Sequence, residues 1–158
     1  MTGTLIYHWT TIGKAKTALR RDMLRARPWA HYIEAKKEMV HGTSWSRDPE
    51  KWRKDNQICL VMAKDDVINP IYSIPGSRTF WLTKGMTDSS ADPKAYMLES
   101  EEIDEEFIKG TLTGLAARLI GVFLSEECED AGILDILASR RITILPQPTP
   151  QSAESPSP

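Results

Sequence analysis

The run Gln57-Ile58-Cys59-Leu60-Val61-Met62 limits what this chain can fold into more than any other stretch. It is apolar on successive residues, not on alternate ones, and it has the length of a strand. A strand with both faces apolar belongs inside a sheet that is covered on both sides. The rest of the chain must therefore supply neighbouring strands and the layers that cover them.

Several other segments supply them. Thr4-Leu5-Ile6-Tyr7-His8-Trp9 reads as a first strand, with Thr10 or Thr11 placed to cap a helix immediately after it. From Ile12 to about Ala26, apolar residues recur at Ile12, Ala15, Leu19 and Met23, the spacing of an amphipathic helix, and Pro28 ends it or bends the chain away. His31 to Lys37 fits a short helical turn or a loop. A strand from Met39 to Ser46 comes next, closed by the turn pair Asp48-Pro49. Glu50 to Asn56 is charged and exposed in character, and Asp65 to Asn69 reads as one helical turn or a bend before Pro70.

Residues 70–95 are punctuated by prolines and glycines and read as a long irregular excursion, with one short strand at Thr79 to Thr83. Glu99 to Ile108 places Ile103, Phe107 and Ile108 at helical spacing behind an acidic start, which predicts a helix. Leu119 to Leu124 is a further strand, Glu126 to Leu137 a final helix, and Arg141 to Leu145 a last strand. Strands interspersed with helices without regular βαβ alternation give an α+β fold: one compact domain, residues 1–145, with a small mixed or antiparallel sheet flanked by helices. The Pro-, Ser- and Gln-rich residues 146–158 lack the apolar content to fold and form a disordered tail.

Composition excludes some classes of function. No apolar run approaches the roughly 20 residues that span a bilayer, and the first residues carry no signal-peptide pattern, so a cytoplasmic protein is expected. Cys59 and Cys128 are too few and too far apart for a disulfide framework or a zinc site, and no paired-histidine spacing suggests another metal. There is no GxGxxG, Walker loop or GxSxG elbow. The net charge of −2 hides an asymmetry: residues 11–54 hold twelve Lys or Arg against five Asp or Glu, and residues 101–158 hold four against eleven. A basic N-terminal half suits a phosphate-bearing partner, nucleotide or nucleic acid. It also suits attraction between the two halves of the fold.

Three groups carry chemistry-competent side chains. His8 and Thr10 stand at the end of the first strand, where a ring nitrogen and a hydroxyl can bond a ribose or an amide. In Ser44-Trp45-Ser46-Arg47, alternation puts Ser44 and Ser46 on one face and Trp45 with Arg47 on the other. An arginine beside an aromatic can hold a pyrophosphate or stack on a base. Glu99, Glu101 and Glu102 open the acidic segment, and a carboxylate in a cleft can act as a base or stabilise a developing cation. Each has a plainer explanation: a backbone-satisfied histidine, a surface arginine paired with Asp48 or Glu50, and a solvated helix start.

Their order is more specific than any one of them. A Tyr-His-x-Thr strand end, a basic amphipathic helix, a Ser-x-Ser-Arg strand and a Glu-containing segment before a late strand resemble the ADP-ribosyltransferase superfamily, and within it the DarT-type enzymes. The resemblance implies an α+β ADP-ribosyltransferase-like fold, NAD as substrate, His8 and Thr10 with Ser44 and Ser46 on NAD, and Arg47 with Glu101 or Glu102 in catalysis. It implies transfer of ADP-ribose to a nucleic acid or a host protein, with nucleic acid meeting the basic half. In a phage-encoded chain the setting would be the host cytoplasm. A non-enzymatic phage or virion-associated protein that keeps the fold is the alternative expectation, and a nuclease using His8, His31 or His41 a third. The separation of His8, Arg47 and the glutamates in space distinguishes them.

Overall fold

In a computed structural model, residues 4–33, 39–74, 104–126 and 128–146 are described. Nine strands and three α-helices lie among them: β1 (Leu5–Thr10), α1 (Ile12–Arg21), β2 (Met23–Leu24), β3 (Arg27–Ile33), β4 (Met39–Ser46), β5 (Ile58–Ala63), β6 (Ile71–Ile74), β7 (Glu105–Lys109), β8 (Leu112–Thr113), α2 (Leu115–Arg118), β9 (Leu119–Leu124) and α3 (Ala131–Ser139). The main sheet runs β6-β7-β4-β1-β5-β9 with antiparallel neighbours throughout. β2 and β8 form a separate two-stranded ribbon.

The apolar run behaves as its composition requires. In β5, Ile58, Leu60 and Met62 enter the main core, and Cys59 and Val61 enter a second cluster on the other face with Trp9 and Phe123. The main core is closed by α1 through Ile12, Ala15, Ala18 and Leu19, and by α3 through Ile133 and Leu137. An ion pair between Lys16 and Asp130 at 2.8 Å ties the two helices together.

β4 is shared between two partners on one of its edges. Its first half pairs with β3, Arg27 opposite Gly42, and its second half meets β1, Tyr7 opposite Ser46. β1 and β3 therefore part company along β4, and the sheet splits where the end of β1 meets the start of β3. On the other edge β7 packs so closely that a Cβ at position 42 would lie 2.1 Å from the Ile108 carbonyl oxygen. Only glycine fits at Gly42.

Several expectations are corrected. α1 ends at Arg21 and does not continue to Ala26, because Asp22 turns into the left-handed region (φ 55°) and its N–H satisfies the carbonyls of Ala18 and Leu19. Pro28 lies inside β3, so residues 31–33 are strand and neither turn nor loop. The helix expected over Glu99 to Ile108 is absent from its described part: Glu105–Lys109 is strand β7, held between β4 and β6. β6 occupies residues read as irregular. The last helix starts at Ala131, capped by the Asp130 carboxylate on Ile133 N–H, and not at Glu126. Arg141 to Leu145 forms a single parallel bridge, Ile144 to Val122, and no full strand. The expected strand at Thr79 to Thr83 and the tail after Pro146 lie outside the described residues.

Candidate active site

Register builds the site. Opposed residues of antiparallel strands share a face, so one face carries a transverse row: Leu60 opposite His8, Trp45 opposite Glu106, and Glu106 opposite Ser73. The His8 and Trp45 rings, 5.2 Å apart at their centroids, join the two ends of the row. With strands about 4.8 Å apart, His8 and Glu106 are two spacings, roughly 10 Å, from each other. Arg47, two residues beyond Trp45, returns on this face and donates from Nε to Glu106 Oε2 at 2.6 Å.

Glu106 is completely enclosed, whereas the Arg47 side chain is 37% exposed. The Ser73 hydroxyl donates to Glu106 Oε1, and Lys64 Nζ lies 3.2 Å from the same oxygen and 3.0 Å from Ser73 Oγ. Two cations and a hydroxyl thus offset the cost of burying one carboxylate. Among the described residues the terminal nitrogens of Arg47 take no partner. The guanidinium is fixed through Nε and offers its outer fork to a ligand.

His8 sits where β1 leaves β4. Its Nδ1 is 2.8 Å from the Ser44 carbonyl oxygen, which can only accept, so Nδ1 carries the proton and Nε2 is left as an acceptor. Burial lowers the His8 pKa and keeps the ring neutral, against the opposing pull of that hydrogen bond. The split of the sheet opens a cavity of about 840 Å³ beside it, lined by His8 and Thr10 of β1, by Lys14 and Arg21 of α1, by Arg25 and Arg27, and by Trp52. Four cations and the Trp52 ring around a polar strand end fit an anionic ligand bearing an aromatic ring. The volume is within the range of small-molecule sites.

Of the residues predicted from sequence, His8, Thr10 and Arg47 share this face. Ser44 and Ser46 are on the opposite face, as strand alternation required. Ser46 Oγ accepts from Asp48 N–H at 2.9 Å and donates to the Asp104 carbonyl, which closes the turn after β4. Ser44 donates to Glu105, a carboxylate that burial pushes up to about 7. Glu101 and Glu102 lie outside the described residues. Sequence reasoning missed Glu106, Ser73 and Lys64. A period-two reading of Glu105 to Ile108 would have put Glu106 and Ile108 on one face. No group of metal-ligating side chains occurs among the described residues.

No family model matches the sequence, and no curated protein matches it. Solved structures do share the fold. DarT from Thermus sp. 2.9 in complex with carba-NAD+ superposes with a TM-score of 0.55 at 15% identity, covering 87% of this chain and 90% of that one. Its complex with NAD+ gives 0.54 at 15% identity over 91% and 93%. Its complex with ADP-ribosylated ssDNA gives 0.52 at 13% identity over 89% and 92%.

Proposed function

From the DarT-like ADP-ribosyltransferase fold, we propose that this chain is an NAD-dependent ADP-ribosyltransferase, with nucleic acid as the favoured acceptor class. The observation that carries the proposal is the Arg47–Glu106 pair set in one row with His8. Support for a nucleic-acid acceptor comes from the basic N-terminal half and from the ADP-ribosylated ssDNA bound by the Thermus DarT.

The reaction breaks the bond between the ribose C1′ and the nicotinamide nitrogen, whose electron pair leaves with nicotinamide. Positive charge grows on the ribose, and an acceptor nucleophile then bonds C1′ and releases its proton. Glu106, enclosed behind Arg47, supplies fixed negative charge toward that carbon from a low-dielectric position, where such charge acts most strongly. Arg47 holds Glu106 in place and presents its free fork to the pyrophosphate. Neutral His8 accepts a ribose hydroxyl at Nε2, with Thr10 beside it.

The experiment is transfer of label from NAD to single-stranded DNA, to RNA and to protein. Glu106→Gln should lower transfer by a factor of about 10² to 10³ while the protein remains folded by circular dichroism. The full enclosure of Glu106 favours a second assignment, in which Glu106 only positions Arg47 and the ribose faces Glu101 or Glu102. A Glu101→Gln/Glu102→Gln variant that loses transfer while Glu106→Gln keeps it would select that assignment. A wild-type protein that transfers label to none of the three acceptors removes the proposed function.

A further inference from the structure

Residues 47–57 cross from β4 to β5 through successive tight turns closed by Lys51 N–H on Asp48, Arg53 N–H on Glu50 and Asn56 N–H on Arg53. Two non-glycine residues of this loop, Trp52 (φ 65°) and Asp55 (φ 71°), are left-handed. For a bulky aromatic that region is disfavoured, and it persists only when surrounding contacts impose it. They do so here. Asn56 Nδ2 donates to the Trp52 carbonyl at 2.6 Å, and Trp9 Nε1 donates to the Pro49 carbonyl at 2.6 Å. Lys51 is anchored on Asp104 at 2.9 Å, and the Arg53 guanidinium lies over the Trp9 ring.

The Trp52 side chain carried on this loop belongs to neither hydrophobic cluster. Trp52 is 39% exposed, and it lines the cavity that also takes His8, Thr10, Lys14 and Arg21. Lys51 Nζ stands 4.8 Å from its ring centroid. A half-exposed tryptophan on a pinned backbone at the wall of a cationic cavity is a stacking surface for an aromatic ligand carrying phosphate. Arg47 and Glu106 do not line this cavity, so it suits the half of a dinucleotide that does not react.

We propose that Trp52 stacks the adenine ring of NAD, with Lys14 and Arg21 beside the phosphates. The inference rests on the NAD reading of the site and names a binding residue for the same ligand. It is tested by calorimetric titration of wild type, Trp52→Ala and Trp52→Phe with NAD, AMP and nicotinamide mononucleotide, which lacks adenine. Trp52→Ala should bind NAD and AMP roughly 10- to 100-fold more weakly and nicotinamide mononucleotide within about twofold of wild type. Trp52→Phe should keep most of the affinity, and the variants' melting curves should match wild type. Unchanged NAD affinity in Trp52→Ala, or equal loss for all three ligands, overturns the stacking role and leaves the NAD reading standing. Trp52-dependent binding of AMP without binding of NAD keeps an adenine platform and removes NAD. A wild-type protein that binds neither overturns both.

Discussion

Glu105 and Glu106 are neighbours in sequence and lie on opposite faces of one sheet. Glu106 meets Arg47, Lys64 and Ser73, while Glu105 is buried opposite Ser46 with Ser44, Lys51 and Asp104 around it. Desolvation outweighs the pull of Lys51 and Ser44 and raises Glu105 from 4.5 to about 7. The folded state therefore holds this proton more tightly than the unfolded chain. Its stabilising effect is complete below pH 4.5 and is lost as pH rises through about 7, an effect of about 3 kcal/mol. Glu105→Gln should be insensitive to that change. Urea unfolding at pH 5 and pH 8 should show wild type losing about that much relative to the variant, and parallel curves would contradict the buried-carboxyl account. Sequence pointed to Arg47 because a strand end beside a turn is a local signal. It did not point to Glu106, because that partner is 59 residues away and becomes a neighbour only through strand pairing.

The same division between local and distant information runs through the elements. β5 was legible because a doubly buried strand leaves an uninterrupted apolar run. The start of α1 was legible too, since Thr11 caps it by accepting from Lys14 N–H. β7 was not, because the acidic run Glu99, Glu101 and Glu102 before it imitates the opening of a helix, and the burial of its own two glutamates depends on cations from outside the strand. The point at which α1 stops was hidden as well: Asp22 ends it while its carboxylate accepts from Ala116 N–H, 94 residues on. The β4–β7 junction has its own test in Gly42. Gly42→Ala must push β7 away from β4 and should cost about 1–3 kcal/mol in unfolding free energy. A substitution that left the urea midpoint unchanged would mean that the two strands are not in this close register.

At the scale of the whole molecule, the split of β4 between β1 and β3 joins the sheet to the cavity. The strand end with His8 and Thr10, the helix with Lys14 and Arg21, and the start of β3 with Arg27 converge because the sheet divides there. The asymmetry of charge visible in the sequence has its counterpart here, since cations of residues 11–54 gather around the cavity. Among the described residues no helix is long and apolar enough to cross a membrane. The far side of the sheet raises a different matter. β9 is an edge strand, and Thr143 to Leu145 lies along it, with Val122 N–H donating to Thr143 O at 2.9 Å and Leu145 N–H to Val122 O at 2.7 Å. Gly121 permits this approach, for a Cβ there would stand 2.6 Å from the Thr143 carbonyl oxygen. An uncovered edge with apolar side chains is a template for pairing with another copy of the chain. A chain ending at Arg140 should therefore self-associate as concentration rises, seen by light scattering as a mass increase that the 158-residue chain lacks. The short stretch past α3 would then act as a guard against aggregation, protecting solubility at the edge opposite β6.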